Sequence, residues 1–131
     1  MHLYHGGVRP VNSTIKGISY EGNSSGGLLR LTSWGPKQCT YPQIDLNTWY
    51  HAVGTYSKDD GLSKLYVNGI LVDMRNDIDW SIHTYNNSFG IGNIFWDTWA
   101  NSGNQIYISN ARVYNRALEE DEISYIYDNY K

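Results

Sequence analysis

The stretch KLYVNGILVDMR (64–75) constrains the chain most. Asn68 and Gly69 stand between two apolar runs, and Asn-Gly is the favoured pair for a two-residue type I′ turn, because both central residues need positive φ. The reading is a tight hairpin, with Leu65 and Val67 before the turn and Ile70 and Val72 after it. A chain that commits its middle to such a hairpin points to antiparallel β structure.

The flanks agree. TWYHAVGTYS (48–57) alternates, with Trp49, His51, Val53 and Thr55 on one face and Tyr50, Ala52, Gly54 and Tyr56 on the other. We assign Trp49 to the core, because its strand is the most apolar and regular. IKGISY (15–20) and LLRLTSW (28–34) are strand candidates, separated by the loop EGNSSGG and closed by Gly35 and Pro36. SFGIGNIFW (88–96) and QIYISNARVY (105–114) add two more, the second placing Ile106, Ile108, Asn110 and Arg112 opposite Tyr107, Ser109, Ala111 and Val113. Twelve Tyr, five Trp and thirteen Gly in 131 residues suit a single all-β domain, 1–131, rich in loops.

One segment breaks the β pattern. In VYNRALEEDEI (113–123), an N-cap at Glu119 puts Glu120, Asp121 and Glu122 in a first helical turn, where carboxylates meet free N–H groups. Glu122 then falls at the third helical position, from which it reaches back to the cap, and Leu118 and Ile123 take the hydrophobic-staple positions. Ile123, Ile126, Tyr127 and Tyr130 continue as one apolar stripe. Four consecutive acids point in different directions on a helix, so they do not converge on one ion.

The net charge of −3 lacks the basic footprint of a nucleic-acid binder, and no apolar run is long enough for a membrane helix. MHLYHGGVRP lacks the regions of a signal peptide, which for an exported protein implies a longer precursor or release by lysis or assembly. Cys39 is the single cysteine, so no internal disulfide forms, and the thiol reads as a small apolar side chain rather than a nucleophile paired with His51.

Taken in order, WYHAVGTYS, KLYVNG, FGIGN and ISNARVYNRALEEDEI resemble the laminin-G-like, concanavalin-A-like jelly-roll family over roughly residues 28 to 127. The resemblance implies a two-sheet antiparallel jelly-roll sandwich with a short C-terminal helix. It departs in two places: Asn104, Ile106 and Ile108 stand where the family has a Phe-x-Gly-x-Ile lead, and the usual first strands are missing. An N-terminally short sandwich leaves a sheet edge to be covered by a partner subunit, a second copy or a longer precursor.

The family also implies candidate sites. Its glycoside hydrolases need two carboxylates about 5–9 Å apart, and Asp77 with Asp79 is the only suitably spaced pair, read as solvated loop acids. Calcium needs oxygen ligands in rim loops, for which Asp97, Asp59 and Asp60 are the candidates. Glycan recognition would use Trp96 and Trp99 with Asn101 and Asn104, the aromatics against sugar C–H surfaces and the amides on hydroxyls. The expected function is a non-catalytic adhesion or assembly module with glycan binding, at a virion (phage) or extracellular surface, with other protein subunits or cell-surface glycans as partners. A lectin-like module of a secreted bacterial protein is the alternative, and a glycoside hydrolase fragment the more distant one.

Overall fold

A computed structural model describes residues 16–23, 25–33, 37–80 and 107–130. The first sheet holds β1 (Lys16–Asn23), β2 (Gly26–Ser33) and β3 (Gln38–Ile44), in that order, and the second β4 (Ala52–Tyr56), β5 (Ser63–Val67) and β6 (Ile70–Arg75). All four pairings are antiparallel. The sheets face each other around a core that includes Tyr20, Leu29, Leu31, Cys39, Leu65 and Val67. The helix α1 (Glu120–Tyr130) covers the outer face of the second sheet, where Tyr66, Leu118 and Ile123 form a second buried cluster. This is the expected two-sheet sandwich with a C-terminal helix.

The hairpin forms as its residues require. Val67 pairs with Ile70, and Asn68 and Gly69 take φ of 52° and 79°. Asn68 also ties the hairpin to β4: its Oδ1 accepts the His51 N–H (2.9 Å) and its own N–H donates to the His51 carbonyl (2.8 Å). A Cβ on Gly69 would lie 3.1 Å from the Tyr127 ring, so the glycine is needed for the turn and for seating α1.

β3 is the strand that the sequence pattern concealed. Leu29 pairs with Tyr41 but Gly27 pairs with Ile44, so β3 spends one residue more than β2 in that interval, and the surplus falls at Pro42 and Gln43. A proline has no N–H for a ladder, and a bulge on an edge position is where one fits. The bulge puts Cys39 and Ile44, an odd number apart, into the same core, which defeats a period-two reading.

Two expectations are corrected. Trp49 is not core: it is 61% exposed, because the β4 ladder begins only at Ala52, after a turn through Leu46 and Asn47. The inward face of this stretch is the one with smaller side chains, Tyr50, Ala52 and Gly54. A Cβ on Gly54 would meet Leu31 Cδ1 at 2.5 Å, so the sheets approach most closely where β4 has no side chain. The second correction concerns the strand over 105–114. Residues 107–114 form no strand, Asn110 turns the backbone with φ of 55°, and Tyr107 and Val113 are exposed. The strand expected over 88–96 lies outside the described residues.

The helix entry matches its sequence reading. Glu122 Oε2 accepts the Glu119 N–H (2.8 Å), the return half of a capping box. The Glu119 side chain makes no matching bond; instead Asp121 Oδ1 accepts the Glu122 N–H (3.0 Å). Arg116 adds a bidentate pair to Glu122 (2.7 and 2.5 Å). Beneath these exposed contacts Ile123 is fully buried, and burying such a side chain contributes about 1.5–3 kcal/mol. Exposed ion pairs contribute less, so the staple holds the helix down and the polar contacts set where it starts.

Two predictions follow from these contacts. Gly69→Ala should lower stability by about 1–2 kcal/mol from the left-handed backbone alone, before the crowding of Tyr127, as read by urea denaturation. The second concerns acid. Arg116 and the Glu119 N–H hold the Glu122 carboxyl at about 2, and Arg75 does the same for Asp77. A depressed folded pKa gives stability that is full above the unfolded value and lost as pH falls through the folded one. The melting temperature should therefore drop between roughly pH 4.5 and pH 2, and Glu122→Gln should flatten that drop; an unchanged pH profile in the variant would contradict the assignment.

Candidate functional site

The best-built polar and aromatic cluster stands at one end of the second sheet. β4 ends at Tyr56, which pairs with Ser63 of β5, which in turn pairs with Arg75 of β6. The register therefore lays Tyr56, Ser63 and Arg75 in one row on the face that meets the first sheet. Trp80 closes over this row. Its Nε1–H donates to Ser63 Oγ (2.8 Å), and its ring stacks on Tyr56 with centroids 5.3 Å apart and planes 27° apart. Trp80 packs against the core and Tyr56 is 37% exposed, so the stack presents aromatic surface from a rigid base.

Charged groups sit at the other end of the row. Arg75 donates to both oxygens of Asp77 (2.7 and 2.8 Å), and Lys37 reaches Asp77 Oδ2 at 3.6 Å from just before β3. Arg75, the larger influence, and Lys37 keep the Asp77 carboxyl at about 2, ionised at any ordinary pH. A carboxylate so held does not serve as a general acid, and its remaining lone pairs can accept hydrogen bonds that hydroxyls donate. Sequence spacing singled out Asp77 and Asp79 as a pair; the structure instead joins Asp77 to two cations. The aromatic row was legible only once the register of β4, β5 and β6 was known.

The remaining sequence candidates fall elsewhere. Trp96, Asp97, Trp99, Asn101 and Asn104 lie outside the described residues. Asp59 and Asp60 are exposed in the loop between β4 and β5, where Asp60 Oδ1 accepts the Leu62 N–H (3.0 Å) and closes the turn together with Ser57 N–H to Leu62 O (2.9 Å). Among the described residues no three His, Cys, Asp or Glu side chains gather as a metal-holding group. Cys39 is buried and donates to the Ser63 carbonyl (3.4 Å); burial, with Asp73 nearby, pushes its thiol up to about 11, far from a reactive thiolate. His51 packs on the helix side of the second sheet, its ring 5.9 Å from that of Tyr127, so it is no partner for Cys39. No described helix is long and apolar enough to cross a membrane.

No curated protein matches this chain. A solved structure similar to it is a segment, residues 221–444, of an S-layer domain-containing protein from Clostridium thermocellum ATCC 27405. The two share 22% identity and a TM-score of 0.52 over 97% of this chain and 66% of that one, a likeness of fold. The profile of the concanavalin A-like lectin/glucanase superfamily matches residues 10–124, beginning well before the segment at 28 where the sequence resemblance became visible and taking in β1. The chain belongs to the concanavalin A-like lectin/glucanase superfamily.

Proposed function

We propose that this chain is a non-catalytic surface module for adhesion or assembly, and that it recognises carbohydrate at the Tyr56–Trp80 rim. The observation that carries the reading is the fixed stack itself, partly exposed and continuous with an ion-paired carboxylate. Sugar rings present C–H groups to aromatic faces and hydroxyls at their edges, and this row offers a face and a set of fixed donors and acceptors. Preorganisation matters because weak contacts lose less to ordering when the side chains are already held. Asp77, held ionised by Arg75 and Lys37, does not fit the general acid of a glycosidase, and the proposal gives it a binding role.

The fold likeness to an S-layer domain-containing protein agrees with a place at a cell surface or outside the cell. The virion placement expected from composition and family habit gains no support from the comparisons, and the proposal keeps to a cell surface or the outside of the cell. Trp96 and Trp99 remain part of the proposal as further sugar contacts.

The test is a glycan array followed by titration calorimetry on the full chain. Tyr56→Ala should weaken binding to a neutral polysaccharide about tenfold, the scale of about 1.4 kcal/mol for a lost stacking contact. Trp96→Ala with Trp99→Ala measures the second contact. Wild-type affinity in Tyr56→Ala, with the fold intact by circular dichroism, would remove the rim from the proposal.

A further inference from the structure

We propose a second binding site, for an anionic glycan, centred on Arg112 at the opposite end of the second sheet. Arg112 is exposed, and its guanidinium lies 4.6 Å from the centre of the Tyr130 ring, with Tyr114 also in contact. Among the described residues no carboxylate ion-pairs with it, although the chain is acidic overall. Tyr114 and Tyr130 are themselves 44% and 58% exposed. The cation thus stands at the surface beside two phenols, with no ion-paired carboxylate among the described residues.

A structural use of Arg112 exists. α1 has no basic residue in its last turn, and a cation on Tyr130 complements the helix C-terminus. That use occupies the face of the guanidinium. Its planar edge carries five N–H donors; some point to the Tyr114 and Tyr130 hydroxyls, and those that remain can take an oxyanion of a carboxylate or phosphate. The phenol hydroxyls beside it add donors and acceptors for neighbouring sugar hydroxyls. The ligand class is therefore a sugar polymer bearing an oxyanion, either a uronate carboxylate or a polyol phosphate.

The surroundings favour a preformed site. His51, just before β4, and Tyr127, from α1, pack together nearby, and among the described residues the buried His51 Nδ1 has no hydrogen-bond partner. Ser124 Oγ donates to the Gly69 carbonyl (3.3 Å), so the helix that carries Tyr130 is tied to the hairpin. The site rests on the carbohydrate reading above but uses none of its side chains.

The experiment titrates the full chain with polygalacturonate, with a glycerol-phosphate polymer and with a neutral galactan. Arg112→Ala should weaken one or both acidic polymers at least about tenfold and leave the galactan unchanged, whereas Arg112→Lys should retain charge but lose part of the affinity. Binding should also fall as salt rises. Which acidic polymer responds identifies the oxyanion. Equal acidic-polymer affinity in wild type and Arg112→Ala, or no acidic polymer bound more tightly than the galactan, overturns the site. Tyr56→Ala serves as the separate arm: its effect on the galactan reports the first proposal alone, so failure of one reading is distinguishable from failure of the other.

Discussion

Two hydrogen bonds between Asn68 and the His51 backbone organise the second sheet and what lies on it. They close the start of β4 onto the β5–β6 turn, so the turn is a three-strand junction rather than a free hairpin tip. Gly69 then leaves room for Tyr127, and Ser124 bonds its carbonyl. The helix therefore docks on backbone that the turn has already fixed. Asparagine is suited to this place because it tolerates positive φ while its side-chain oxygen accepts from a neighbouring strand. An aspartate would keep the acceptor but bring charge into a half-buried interface, and an alanine would keep neither property.

The two faces of the second sheet are built differently. Toward the first sheet the approach is set by Gly54, where Leu31 fills the space of a missing side chain. Toward the helix the contact is made by larger groups, Tyr66 with Leu118 and Ile123. A sheet covered on both faces loses the simple rule that one face of each strand is polar. This is why β5 reads SKLYV with Ser63, Leu65, Tyr66 and Val67 all buried, and why Trp49, at the outer end of a regular-looking run, could be exposed without harm.

The legible parts of the chain were those whose signal is local. The Asn68–Gly69 turn, the staple of Leu118 and Ile123 and the return bond of Glu122 depend on spacing within about one turn, and each stands where its residues place it. β3 was hidden because its bulge at Pro42 shifts the phase of burial, a property of its pairing with β2 and not of its own residues. Trp49 misled because alternation continues in the sequence past the point where the ladder ends. The candidate rim was illegible for a related reason: Tyr56, Ser63 and Arg75 are far apart in sequence and meet only through two strand registers, while Trp80 arrives from beyond the sheet.

The two proposed contacts lie at opposite ends of one short strand. Tyr56 closes β4, and His51, near the Arg112 site, immediately precedes it. Five residue steps at about 3.3 Å separate His51 from Tyr56 by roughly 17 Å along the sheet. Each contact alone uses only a few side chains. On this reading the module is suited to long polymers, whose chain would pass from the rim of the inner face to the helix side of the same sheet and so make the second contact effectively intramolecular. A short oligosaccharide would reach one end only. Rigidity of the strand between the contacts is then part of the function, because it fixes the spacing that a polymer must match.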